Sequence, residues 1–132
     1  VRSTSQGPFK RFVNKPYTAV TAPWNEYSIE ADATGSHVTF SLTLAETESG
    51  VIGTTAMVDG AWYHVVGSYD GVSQKVYVNG VLDNSMARSG SVSDYGQPLA
   101  IARYSLDNNS NFDGLVDEVI KVRTGQTGGA AL

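Results

Sequence analysis

The chain has 132 residues and a mass of 14.0 kDa, the size of one domain built on one hydrophobic core. Hydrophobic residues make up 41%, charged residues 17%, and there are 14 glycines, the composition of a folded, turn-rich globule and not of a disordered chain. The absence of cysteine excludes a disulfide framework, a thiolate zinc site and a cysteine nucleophile. The net charge is −4, with Arg2, Lys10, Arg11 and Lys15 supplying four of the nine basic residues before the first acid, Glu26. An acidic body without a dense basic run repels phosphate backbones, which argues against nucleic acid as a partner. Residues 1–11 are expected to form a solvated basic extension. No apolar stretch reaches the ~20 residues needed to cross a bilayer, and the first residue is Val1, as expected for a processed or excised chain.

In chain order, Tyr27, Ile29 and Ala31 alternate with Ser28, Glu30 and Asp32, predicting a strand, and Ala33 to Ser36 reads as its hairpin connection. Val38, Phe40, Leu42 and Leu44 alternate with Thr39, Ser41 and Thr43, the pattern of a strand with one buried face. Trp62 to Tyr69 predicts a further strand, Asp70-Gly71 a turn, and Lys75 to Val78 another strand. Asn79-Gly80 tolerates the positive φ angles of a type I′ turn, so Val76-Tyr77-Val78 should fold back on Val81-Leu82. Gly90 to Gly96 is a loop, Leu99 to Ala102 a short strand, Asp107 to Asn111 a second loop, and Leu115 to Val122 a last strand. Residues 124–132, rich in glycine and small side chains, are expected to form a flexible tail. Many short strands separated by turn residues, with no amphipathic helix and no internal repeat, predict a single all-β sandwich or barrel over residues 1–132.

Three blocks narrow this further: Trp62-Tyr63-His64-Val65-Val66-Gly67-Ser68-Tyr69-Asp70-Gly71, then Val76-Tyr77-Val78-Asn79-Gly80, then Phe112-Asp113-Gly114-Leu115-Val116-Asp117-Glu118-Val119. In this order and spacing they resemble the laminin-G-like, concanavalin A-like lectin and glucanase domains, over roughly Phe12 to Val122. The resemblance implies a jelly-roll sandwich of two antiparallel sheets. It also implies that the family's opening strands are missing, a domain shortened at its N-terminus, with an exposed sheet edge suited to a homodimer. Two positions depart from the pattern. Ala102 stands where the family has glycine, a mild change if φ is negative there. Lys121 falls where the alternation through Val119 calls for a buried residue, so a bulge or register change near Val119 is expected.

Candidate chemistry is sparse. Glu30 and Asp32 are the closest local carboxylate pair, but the third acid of the glucanase strand is absent, and solvent-facing strand carboxylates are the expected reading. His64, beside Trp62, is expected to pack in the core, and His37 to end a strand next to a turn. No serine sits in a nucleophile elbow. The loops offer Asp107, Asn109, Asn111 and Asp113, with Asp117, as oxygen donors for calcium, although such residues also stabilise turns. Trp24, Tyr95 and Tyr104 in the loops, with Asn108, are the candidates for sugar contact, whereas Trp62, Tyr63, Tyr69, Tyr77 and Phe112 are expected in the core. The resemblance then implies a non-catalytic extracellular or cell-surface module that binds a glycan or polysaccharide. A protein-interaction or adhesion module and a fragment of a polysaccharide-active enzyme are the alternatives.

Overall fold

The computed structural model describes residues 1–5, 7–107 and 109–122. Among them, ten strands and no helix form: β1 (Arg2–Ser3), β2 (Arg11–Pro16), β3 (Asn25–Ala31), β4 (His37–Leu44), β5 (Thr47–Ala56), β6 (Val65–Tyr69), β7 (Ser73–Val78), β8 (Val81–Ala87), β9 (Ala100–Ile101) and β10 (Gly114–Leu115). They pair antiparallel as a five-stranded sheet in the order β5-β4-β3-β2-β9, a three-stranded sheet β6-β7-β8, and the short pair β1-β10. This is the expected all-β sandwich of antiparallel sheets.

The core lies between the two larger sheets. Phe12, Ala31, Val38, Phe40 and Val51 from one side meet Val76 from the other, with Met57 closing one end. Phe40 lies so close to β6 that a Cβ at Gly67 would overlap its ring, so the absence of a side chain at Gly67 is what lets the sheets approach here. Polar links stitch one flank. Gln74, fully buried on β7, donates to Phe40 O at 2.6 Å and Ser49 O at 3.2 Å, and Arg88, just after β8, donates to Leu42 O at 2.5 Å.

Several expectations meet the structure directly. Asn79 and Gly80 take φ of 52° and 82°, and Val78 pairs with Val81, so the Asn-Gly hairpin forms as the positive-φ preference requires. On β4 the apolar set Val38, Phe40, Leu42 and Leu44 is buried, but so are Thr39, Ser41 and Thr43. Both faces of β4 are buried, the apolar one in the core and the polar one at the bottom of a cleft walled by loops.

Other expectations are corrected. Residues 1–11 are not a solvated extension: Arg2 and Ser3 pair with Leu115 and Gly114, the Val1 amino group donates to Tyr63 O at 2.7 Å, and Arg11 is buried at the start of β2. Basic side chains alone could not reveal these backbone partners, which come from the far end of the chain. Trp62 and His64 are exposed, since strand pairing begins only at Val65. The last strand ends at Leu115 instead of Val122. Glu118 adopts φ of 50°, and this left-handed residue breaks the alternation before Val119; Lys121 then sits with its Nζ 4.8 Å from the Tyr27 ring centroid. Ala102 is also left-handed, with φ of 60°, so the alanine in place of glycine carries strain. The predicted tail, 124–132, lies outside the described residues.

Candidate functional site

The polar face of the five-stranded sheet is the floor of a cleft of about 660 Å³. Strand register builds a row across it, Arg11 on β2 opposite Glu30 on β3, Glu30 opposite Thr39 on β4, and Thr39 opposite Ile52 on β5. Ser41, Glu48 and Gly50 extend the floor, while Phe9, Trp24, Asp32, Tyr104 and Asp107 stand around it.

Arg11 and Glu30 form an ion pair, both side chains almost wholly buried, and Ser41 Oγ donates to Glu30 Oε1 at 3.3 Å. Burial pushes the Arg11 guanidinium below its ordinary value, the direction expected of a cation taken out of water, against the attraction of Glu48, Tyr104 and Asp107. The guanidinium lies 5.3 Å from the Tyr104 ring centroid. Thr39 Oγ1 and Arg11 Nε are buried without a hydrogen-bond partner. Both atoms are closed to solvent, so they are unmatched polar groups within the floor and not contact points for a ligand.

Trp24 is 43% exposed, yet its backbone is fixed from both sides. Its N–H donates to Glu48 Oε2 at 2.6 Å, and its carbonyl accepts from Tyr104 Oη at 3.2 Å and Tyr17 N at 3.0 Å. Glu48 Oε1 also accepts from Asn25 Nδ2 at 2.7 Å, and Asn25 in turn is held by Asn14 and Thr43. Phe9 is a second exposed aromatic on the wall, 49% accessible, held at φ of 55° with its N–H donating to Asp32 O at 3.2 Å. A left-handed φ at a non-glycine residue costs roughly 1–2 kcal/mol, and such strain concentrates at functional sites. Asp32 itself is committed to a turn: Oδ1 accepts from Thr34 Oγ1, Ser36 N and His37 N at 2.8, 2.9 and 3.1 Å. Burial pushes its carboxyl up, but the hydrogen bonds from His37, Thr34 and Ser36 outweigh this and hold it below its ordinary value.

Of the aromatic residues singled out from sequence, Trp24 and Tyr104 meet in this cleft. Tyr104 is buried, 3% exposed, and its ring is a support for Arg11 and Trp24 and not a stacking surface. Tyr95 is elsewhere, edge-on to Tyr17 with centroids 4.6 Å apart and its hydroxyl donating to Glu46 Oε2 at 3.0 Å. Asn108 lies outside the described residues. The calcium candidates are dispersed. Asp107 accepts from Asn109 N at 2.9 Å, Asp113 accepts from Thr4 Oγ1 at 3.1 Å, Asn111 Oδ1 is buried, and Asp117 borders a separate hollow between Trp62–Gly67 and residues 116–122. Among the described residues, no three His, Asp or Glu side chains converge as a metal set.

Sequence reasoning missed Arg11 and Phe9, which it assigned to the extension, and Glu48, Thr39 and Ser41. It placed Glu30 and Asp32 in solvent, whereas they are 5% and 7% exposed. Period-two alternation carried no signal for this, because it reads the same whether the polar face meets water or a cleft.

A family model described as the concanavalin A-like lectin/glucanases superfamily, of laminin-G type, matches residues 1–120. The chain belongs to this superfamily. No curated protein matches it. The match begins at residue 1, earlier than the Phe12 reached by the sequence resemblance, in keeping with β1 being part of the domain. Concanavalin A-like and laminin-G domains often bind carbohydrate or protein and are commonly extracellular, and the superfamily also includes glycosidases. No helix among the described residues is long and apolar enough to cross a membrane.

Proposed function

We propose that this concanavalin A-like domain is a non-catalytic, extracellular glycan-recognition module whose site is the cleft over β2–β5. The observation that carries the reading is Trp24: an exposed indole over a polar floor, with its backbone clamped by Glu48 and Tyr104. A preorganised aromatic face stacks on a sugar ring at low entropic cost, while carboxylate and hydroxyl groups alongside accept and donate to sugar hydroxyls. Phe9 supplies a second apolar face.

The carboxylates favour binding over catalysis. Glycoside hydrolysis needs one carboxylic acid with a raised pKa and a second carboxylate across the scissile bond. Here Glu30 is engaged by Arg11, Glu48 by Trp24 N–H and Asn25, and Asp32 by its turn with its carboxyl held down. Titration against a soluble-polysaccharide panel tests the reading. Binding that weakens at least ~10-fold in Trp24→Ala, with an unchanged melting temperature, supports it. Silence across the panel sinks it and points to a protein partner. Release of reducing sugar from any bound polymer sinks the non-catalytic part alone.

A further inference from the structure

The cleft is electrically one-sided. Glu30, Asp32, Glu48 and Asp107 line it, and Arg11 is the one lysine or arginine among its described lining residues. The Arg11 charge is matched by Glu30 through the buried ion pair. His37 Nδ1, 3.5 Å from Asp32 Oδ2, is the other basic group at this end. Among the described lining residues, Glu48 and Asp107 have no lysine or arginine near them other than the already engaged Arg11. Glu30 and Asp32 are almost fully buried, where screening by water is weak, and the chain as a whole carries −4.

We infer that the cleft selects glycans without acidic groups and rejects uronic-acid and sulfated polymers. This rests on the glycan reading of the same site. A neutral sugar brings hydroxyl donors, which carboxylate oxygens lining the cleft accept in charge-assisted bonds. A uronate or sulfate group gives up its water for a wall of like charge, with the single guanidinium already taken. Phe9 and Trp24 offer apolar faces to either polymer, so the discrimination comes from the carboxylates alone.

The test is titration of the chain with neutral polymers (mixed-linkage β-glucan, galactomannan) and acidic ones (polygalacturonate, alginate, heparin). Neutral polymers are expected to bind with affinity that salt changes less than ~2-fold. Acidic polymers should bind at least ~10-fold more weakly at low salt, and gain as salt screens the repulsion. An acidic polymer that binds more tightly than the neutral ones at low salt, and is lost in Trp24→Ala, overturns the selectivity and leaves the glycan reading standing. Failure of every polymer to bind overturns the glycan reading, and the selectivity falls with it.

Discussion

Asp83 on β8 takes both polar groups of Thr55 on β5, the hydroxyl at 2.7 Å on Oδ1 and the amide at 3.1 Å on Oδ2. Thr54 repeats the pattern on the same carboxylate, its amide at 2.7 Å and its hydroxyl at 3.1 Å. One side chain thus joins the edge of the three-stranded sheet to the edge of the five-stranded sheet. Gly53 makes room for it, since a Cβ there would overlap Asp83 Oδ2. Losing these bonds leaves the part-buried Thr55 donors unmatched, at about 1–3 kcal/mol, while the exposed Thr54 donors turn to water. Asp83→Ala is expected to lower the urea midpoint by that amount with an unchanged slope. A loss under ~0.5 kcal/mol would show that the clamp is incidental.

The same carboxylate makes stability depend on pH. Burial pushes Asp83 up, but the hydrogen bonds from Thr55 and Thr54 outweigh it, so its folded pKa lies below the ordinary value of 3.8. The sign follows from proton linkage. A depressed folded pKa gives stabilisation that is full above the unfolded pKa and is lost as pH falls through the folded one. Asp32 contributes in the same direction. The contribution of these carboxylates to the unfolding free energy should therefore be flat above about pH 5 and fall below about pH 4, with a shallower fall in Asp83→Asn. An identical acid slope in wild type and Asp83→Asn would remove Asp83 from the account.

Ala102 offers a gain. Its φ of 60° is held by its N–H donating to Phe12 O at 2.9 Å and its carbonyl accepting from Phe112 N at 2.9 Å, so the backbone cannot relax without breaking contacts to two core aromatics. Glycine removes the Cβ strain but adds freedom to the unfolded chain, for a net gain of about 0.5–1 kcal/mol. Ala102→Gly should raise the melting temperature by about 2–5 °C. A lower melting temperature would mean that the left-handed conformation carries no strain worth relieving.

What could be read from the sequence depended on whether the determining partner was local. The Asn79-Gly80 hairpin and the buried stripe of β4 were legible, because turn chemistry and period-two alternation are written in adjacent residues. Arg11 and Phe9 were not, because their meaning comes from residues some twenty positions away: Glu30 across the β2–β3 register, Asp32 through its carbonyl. Glu30 looked like a solvated carboxylate for the same reason. Its burial comes from walls built by the loops that carry Trp24 and Tyr104, which periodicity cannot see. Near Val119 the sequence did show its own conflict, and a left-handed Glu118 is how the chain resolves it.

Arg11 and Glu30 yield the prediction that links fold to site. Removing one member of a buried pair strands the other charge, at about 3–5 kcal/mol, whereas replacing both with apolar residues of similar volume is often neutral. Arg11→Met and Glu30→Leu should each destabilise strongly in urea unfolding, and the double variant should recover most of the loss. In glycan titrations the double variant should nonetheless bind weakly, because it removes the charged pair from the cleft floor while leaving Trp24 in place. A double variant that is stable and binds as well as wild type would show the pair to be structural alone, with recognition resting on the aromatic walls.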